Sequence, residues 1–164
     1  MVQVGILSDT HLSAINDRFQ KQCSTAFSGC DIIIHAGDLV DISILQAFRG
    51  KTVHAVHGNT CNRSTRLSLP QEKIVYIQGY QIAITHGTGP RYNIEDRVYA
   101  MYPEADCIVF GHSHIPVCHE CGGTLMVNPG TFASTGRHGS PGSYGLLQVG
   151  KNGLQAAIHL FGDI

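Results

Sequence analysis

The sequence predicts an α/β fold, and three observations carry that reading. Aliphatic and β-branched runs alternate with amphipathic stretches through the N-terminal part of the chain, the pattern of βαβ units. One strand, over 31–38, contains Ile32-Ile33-Ile34 with no polar alternation, as expected of a strand buried on both faces in a parallel sheet. A polar residue stands just past each of these strands, and open α/β sheets collect ligands beyond the carboxyl ends of their strands.

The first strand, Val2–Leu7, leads into Ser8-Asp9-Thr10-His11. A helix is expected over 16–28, where Phe19, Cys23 and Phe27 recur at i, i+4 and i+8. The second strand ends in Gly37-Asp38, with Asp38 at the rim. A short helix over 42–49 and a third strand over 52–57 follow, the latter ending in Gly58-Asn59. Residues 62–70 are expected to be a loop carrying Arg63 and Arg66. Strands over 73–77 and 80–85 join at Gln78-Gly79 as a hairpin, and the second runs into His86-Gly87. A helix over 93–102 has apolar Ile94, Val98 and Met101 and stops at Pro103. Ile108-Val109-Phe110 then reads as a short buried strand that ends at Gly111 and delivers His112 and His114. Residues 117–125 are turn-rich around Gly122-Gly123, and 125–127 leads into Asn128-Pro129-Gly130. A polar loop over 131–143 carries Arg137 and His138. Strands over 144–149 and 154–160 close the chain as an antiparallel pair turning at Asn152-Gly153. No repeat or linker interrupts this order, so residues 1–164 are expected to form a single domain.

Composition narrows the function. Hydrophobic residues make up 43% and charged residues 14%, a balance that supports a packed core and argues against disorder. The formal charge of −1 leaves no electrostatic footprint for nucleic acid or an anionic membrane. No apolar run approaches the ~20 residues of a membrane helix. The chain enters its first strand without a signal-peptide pattern, so a cytoplasmic location and reduced cysteines are expected.

Seven residues with nitrogen or oxygen donors end five strands: Asp9, His11, Asp38, Asn59, His86, His112 and His114. In extended backbone alternate side chains share a face, so His112 and His114 are expected to point the same way and serve one metal or two adjacent ones. Seven donors exceed the three or four of one zinc site and suit two cations ~3.5–4 Å apart. With no thiolate in the set, Mn, Fe, Co, Ni or Zn fits better than an iron–sulfur cluster. Several imidazoles also argue against Ca or Mg alone.

The ordered motifs Asp9-x-His11, Gly37-Asp38, Gly58-Asn59, His86 and Gly111-His112-x-His114 resemble those of the calcineurin-like metallophosphoesterases, and most of all their small bacterial and archaeal phosphodiesterase branch. Each motif alone is weak; the five in order are specific. They span nearly the whole chain, and Asn128-Pro129-Gly130 resembles a segment common after the Gly-His-x-His motif in that branch. The resemblance implies a four-layer α/β/β/α sandwich with two mixed β-sheets. It implies two divalent ions, manganese first, with Ni, Zn, Fe, Co or Mg as alternatives. Asp9, His11 and His114 would hold one ion, Asn59, His86 and His112 the other, and Asp38 would bridge them. Asp38, Asn59 and His86 count as catalytic as well. The implied activity is metal-dependent hydrolysis of small-molecule phosphate esters, diesters before monoesters, by a bridging hydroxide. Small members of the family often form homo-oligomers.

One departure stands out. Many members follow Gly-Asn with His, which assists the leaving group; here Thr60 and Cys61 follow. The acidic residue found nearby in many small members is also absent, Asn62 being the nearest polar side chain. A preference for aryl phosphodiesters, whose leaving groups need no proton, is therefore expected. The rival reading is a non-catalytic metal-binding scaffold acting through protein–protein contacts. The retromer scaffold subunit resembles this fold, but several of its ligand positions are altered, whereas all seven are intact here.

The remaining histidines within the strands, His35, His54 and His57, are expected to be structural or to support ligands, His57 foremost. Cys118-His119-Glu120-Cys121 has CxxC spacing but no second pair to complete a zinc site, so two thiols at a hairpin tip are expected. Arg137 is assigned to substrate phosphate, and Arg63 and Arg66 to surface charge.

Overall fold

The computed structural model describes residues 1–132 and 141–162. Among these, ten strands form two five-stranded sheets. In the first, β1 (Val2–Leu7) lies beside β2 (Ile32–His35), with β3 (Thr52–Ala55) beyond it. These three run parallel, in a register that aligns Leu7 with His35 and His35 with Ala55. The second sheet is ordered β4 (Glu72–Ile77), β5 (Tyr80–Thr85), β6 (Cys107–Val109), β8 (Thr124–Asn128) and β7 (Val117–Cys121). Its central strands β5, β6 and β8 are parallel, and both edge strands are antiparallel to their neighbours. On the far side of β1, β9 (Ser143–Gly150) and β10 (Gly153–Leu160) complete the first sheet as an antiparallel pair.

Among the described residues three α-helices, α1 (Asp17–Ala26), α2 (Arg63–Ser68) and α3 (Ile94–Met101), and one 3-10 helix (Ile42–Phe48) lie outside the sheets. Side-chain alternation decides the layering. Val4 and Ile6 of β1 meet Ile82 and Ile84 of β5 and Val109 of β6 between the sheets. Leu7 and Ile33 face the other way, into a cluster with Phe19, Phe27 and Phe48. Ala83 and Ile108 do the same against Ile94 and Val98 of α3. The result is the α/β/β/α sandwich with two mixed sheets. The close packing shows at Gly5, where an added Cβ would fall 2.4 Å from Phe27 Cδ1.

Local chemistry accounts for the element ends. Asn16 caps α1 by accepting from the Phe19 N–H at 2.8 Å, and Asn62 caps α2 through Thr65 N–H at 2.8 Å. Gln78 and Gly79 both have positive φ, 52° and 90°, as a two-residue type I′ hairpin turn requires.

Four expectations need correction. The expected loop over 62–70 contains α2, too short to display an amphipathic period. The helix over 42–49 is a 3-10 helix. The turn-rich 117–125 is a hairpin, β7 and β8, turning at Gly122-Gly123. The last hairpin turns at Lys151-Asn152, because Gly153 already pairs with Gly150. Among the described residues no helix is long and apolar enough to cross a membrane.

Candidate metal centre

Five strands, three in the first sheet and two in the second, deliver their carboxyl ends to one rim. β1 leads to Asp9 and His11, β2 to Asp38, β3 to Asn59, β5 to His86 and β6 to His112 and His114. Beyond the strands the backbone leaves the extended region. Asp9, His11, Asp38, His112 and His114 all have positive φ, between 49° and 69°. Such left-handed conformations cost a non-glycine residue about 1–3 kcal/mol and concentrate at functional sites. Hydrogen bonds hold them: Asp9 N–H donates to Gly37 O and His11 N–H to Asp38 O, both at 3.0 Å. His112 N–H donates to Asp9 Oδ2 at 3.1 Å.

This geometry changes the reading of His112 and His114. They do not share a face through extended backbone; each sits in the left-handed region, and they join different groups. His114 Nε2 lies 3.0 Å from Asp9 Oδ1 and 3.3 Å from His11 Nε2. His112 Nδ1 lies 3.1 Å from Asn59 Oδ1. His86 Nε2 lies 3.2 Å from Asp38 Oδ2 and 4.0 Å from Asp9 Oδ1. Two groups thus have metal-ligand spacing, Asp9-His11-His114 and Asp9-Asp38-His86. The residue they share is Asp9, whereas the resemblance implies Asp38 as the bridge.

The donor chemistry fits a metal. Asp9, Asp38 and His86 are buried, and the buried atoms Asp9 Oδ1 and His86 Nε2 lack hydrogen-bond partners. The His86 Nδ1–H donates to Ala36 O at 2.8 Å, which in the neutral ring leaves Nε2 with a lone pair facing carboxylate oxygen. His112 follows the same logic: Nε2–H donates to Gly89 O at 2.8 Å, turning the Nδ1 lone pair toward Asn59 Oδ1. Lone pairs aimed at one another in a buried cluster are costly without a cation between them. Burial favours neutral Asp9, but His11, His114 and His86 around it prevail and hold its carboxyl well below the usual range. Asp38 is likewise lowered: burial opposes the shift, while His86 and the Thr60 N–H drive it. His86 is raised, its burial outweighed by Asp38 and Asp9.

Supporting contacts surround the ligands. Ser8 Oγ–H donates to Asp9 Oδ2 at 2.6 Å, and Thr131 Oγ1–H to the Asp9 carbonyl at 2.9 Å. The buried Asn128 amide donates to Gly111 O at 2.9 Å and Ser113 Oγ at 3.1 Å, so Asn128-Pro129-Gly130 braces the His112 loop. Thr60, the departure from the family pattern, donates its N–H to Asp38 Oδ1 at 2.8 Å and sets its hydroxyl 3.4 Å from His11 Nδ1. His35 is buried between Thr10 Oγ1 at 3.1 Å and the Gly37 N–H at 3.2 Å; desolvation pushes it down to about 3. It braces two ligand turns as a neutral ring. The glycines are steric necessities: a Cβ at Gly58 would lie 2.2 Å from Asp38 Oδ1, and one at Gly111 2.1 Å from Ser8 Oγ.

A cavity of about 340 Å³ opens beside Asn59, His86 and His112, lined also by His57, Arg66 and Thr88. Arg66 is therefore more than surface charge. The tertiary fold alone revealed this, together with the bracing by Ser8 and Thr131. Arg137 and His138 lie outside the described residues. The two metal-spaced groups among the described residues contain no cysteine. Cys118 and Cys121 are free thiols on β7, and Cys118 Sγ–H donates to Ala156 O.

The calcineurin-like phosphoesterase superfamily domain model matches residues 2–152. The chain belongs to this family. A "probable metallophosphoesterase" of Methanocaldococcus jannaschii is 33% identical over 134 residues, 78% of this chain and 67% of that protein. A phosphodiesterase of the same organism is 26% identical over 145 residues, 79% and 83% of the two chains. Among solved structures, an archaeal phosphodiesterase superposes with a TM-score of 0.73 at 22% identity, covering 96% of this chain and all of that one. Vps29 of Entamoeba histolytica has the same TM-score, 0.73, at 18% identity, covering 98% and 100%. Both likenesses concern the fold. Family and geometry together give a metallophosphoesterase-family chain with a candidate metal site at Asp9, His11, Asp38, His86 and His114.

Proposed function

We propose that this chain is a metal-dependent phosphodiesterase with a dinuclear centre and hydroxide as nucleophile. The observation that supports it is the convergence of seven N/O donors, several of them buried with their lone pairs facing one another. Asp9, His11 and His114 would hold one divalent ion and Asn59, His86 and His112 the other, with Asp38 or the shared Asp9 between them. Such ions supply Lewis acidity and activate water at neutral pH. The imidazole-rich, thiolate-free set suits Mn, Fe, Co, Ni or Zn.

The chain's own residues supply positioning. Thr60 N–H fixes one oxygen of Asp38 and leaves the other toward His86. The cavity beside Asn59 and His112 receives one ester group, and Arg66, a cation in its lining, complements phosphoryl charge. A threonine, Thr60, follows Asn59 and faces Asp38 and His11, so no imidazole at that position protonates a leaving group. Aryl diesters should therefore exceed alkyl diesters by about 10²–10⁴-fold, the usual worth of positioned proton transfer. Equal rates would refute this.

The test is hydrolysis of bis-p-nitrophenyl phosphate by metal-stripped protein refilled with Mn²⁺, Ni²⁺, Zn²⁺ or Mg²⁺, beside Asp38→Ala and His112→Ala. Turnover restored by metal and lost in both variants is expected. Stoichiometric metal binding without turnover would assign the scaffold role instead.

A further inference from the structure

Asn59 is exposed and His112 half-buried, and each sits on a loop tied down by an arginine. Arg97, on α3, spends its guanidinium on one short segment. Nη1 donates to Tyr92 O at 2.9 Å and Asn93 O at 3.2 Å; Nη2 donates to Thr88 O at 3.1 Å and to Pro90 O. The segment so gathered contains Gly89, whose carbonyl receives the His112 Nε2–H at 2.8 Å. That bond selects the tautomer with a lone pair on Nδ1, the atom 3.1 Å from Asn59 Oδ1. Across the cavity Arg66 does the corresponding work. Its Nε donates to Cys61 O at 2.9 Å and its Nη2 to the carbonyl of Asn59 itself.

We infer that Arg97 and Arg66 are positioning residues that assemble the Asn59–His112 half of the centre. Arg97 acts through the Gly89 carbonyl on the His112 ring, and Arg66 acts on the Asn59 backbone. The inference rests on the two-ion reading above. The physical requirement is a planar fork of five donors that can hold several carbonyls at once; a lysine presents one compact ammonium and cannot span them. Groups that orient metal ligands in this way are commonly worth 10–100-fold in metal affinity. In the opposite half, Asp9 and His11 take their geometry from backbone hydrogen bonds between the ends of β1 and β2, and neither arginine bonds to Asp9, His11 or His114 in the contacts above.

The test is calorimetric titration of metal-stripped protein with Mn²⁺, for the wild type, Arg97→Ala, Arg97→Lys and Arg66→Ala, with melting curves of each metal-free protein. Two equivalents are expected in the wild type. In each variant the first should bind unchanged and the second about 10–100-fold more weakly, with Arg97→Lys rescuing little. If Arg97→Ala fails to fold, Arg97→Lys and Arg66→Ala carry the test. Two equivalents of unchanged affinity in every variant would overturn the inference and leave the two-ion reading standing. Fewer than two in the wild type would overturn both.

Discussion

Burial divides the candidate site into a buried half at Asp9, Asp38 and His86 and an outer half at Asn59 and His112. This division cuts across the proposed ion assignments, and the two halves are built differently. Asp9, Asp38 and His86 are 0–2% exposed and sit where parallel strands end, with their turns stitched to neighbouring turns by backbone bonds. Asn59 is exposed and His112 half-buried, and their loops are gathered by side chains from α2 and α3. The buried half is therefore costly to leave empty, because its charges and lone pairs have no water to turn to. The outer half, being partly open to water, carries little of that penalty.

Asp9→Ala should break the comparison most severely. It removes the residue common to both metal-spaced groups. A cation at such a site is worth several kcal/mol to the transition state, so turnover should fall by about 10³-fold or more, measured on bis-p-nitrophenyl phosphate with saturating Mn²⁺. Retained turnover would show that Asp9 holds no ion. Gly111→Ala comes next. Its Cβ would meet Ser8 Oγ at 2.1 Å and Asp9 Oδ2 at 2.8 Å, an overpacking that should cost about 2 kcal/mol. A melting temperature equal to wild type would show that the buried half yields more easily than its packing implies.

A smaller effect should come from pH. Desolvation lowers His35 in the folded protein to about 3, against 6.5 when unfolded. Between those values the unfolded chain binds the extra proton, so stability rises with pH across this window and is lost as pH falls below 6.5. From pH 6.5 to 5.5 the loss should be about 1 kcal/mol. Denaturant melts of metal-free His35→Asn should show a shallower slope there; an identical slope would show that another group supplies it. The smallest effect belongs to the outer half. His112→Ala should leave metal-free stability within about 0.5 kcal/mol of wild type, and a larger loss would erase the distinction between the halves.

Much of the fold was legible before folding. Ile32-Ile33-Ile34 marks a doubly covered parallel strand, and Gln78-Gly79 marks a hairpin, because burial period and turn chemistry are local properties. α2 escaped because six residues with Thr65 as the buried member show no period; its one signal was the capping Asn62. The candidate ligands were legible for another reason, since each follows a strand whose carboxyl end must reach the rim. Their pairing was not. The left-handed turns at His112 and His114 send neighbours one apart in sequence to different groups, while those at Asp9 and His11 keep that pair in one. The φ values at Asp9, His11 and His112 are held by hydrogen bonds to distant segments.

By itself the chain determined most of its strands, its sandwich and the residue types offered at the rim, since these follow from side-chain period and from ordered motifs. Only the tertiary structure decided which donor faces which, that Asp9 belongs to both groups, that Thr60 serves Asp38 and His11, and that Arg66 and Arg97 reach across to other loops. Those contacts include pairs 103 positions apart, as between His11 and His114. No local pattern encodes an approach of that kind; it exists only once both sheets have packed.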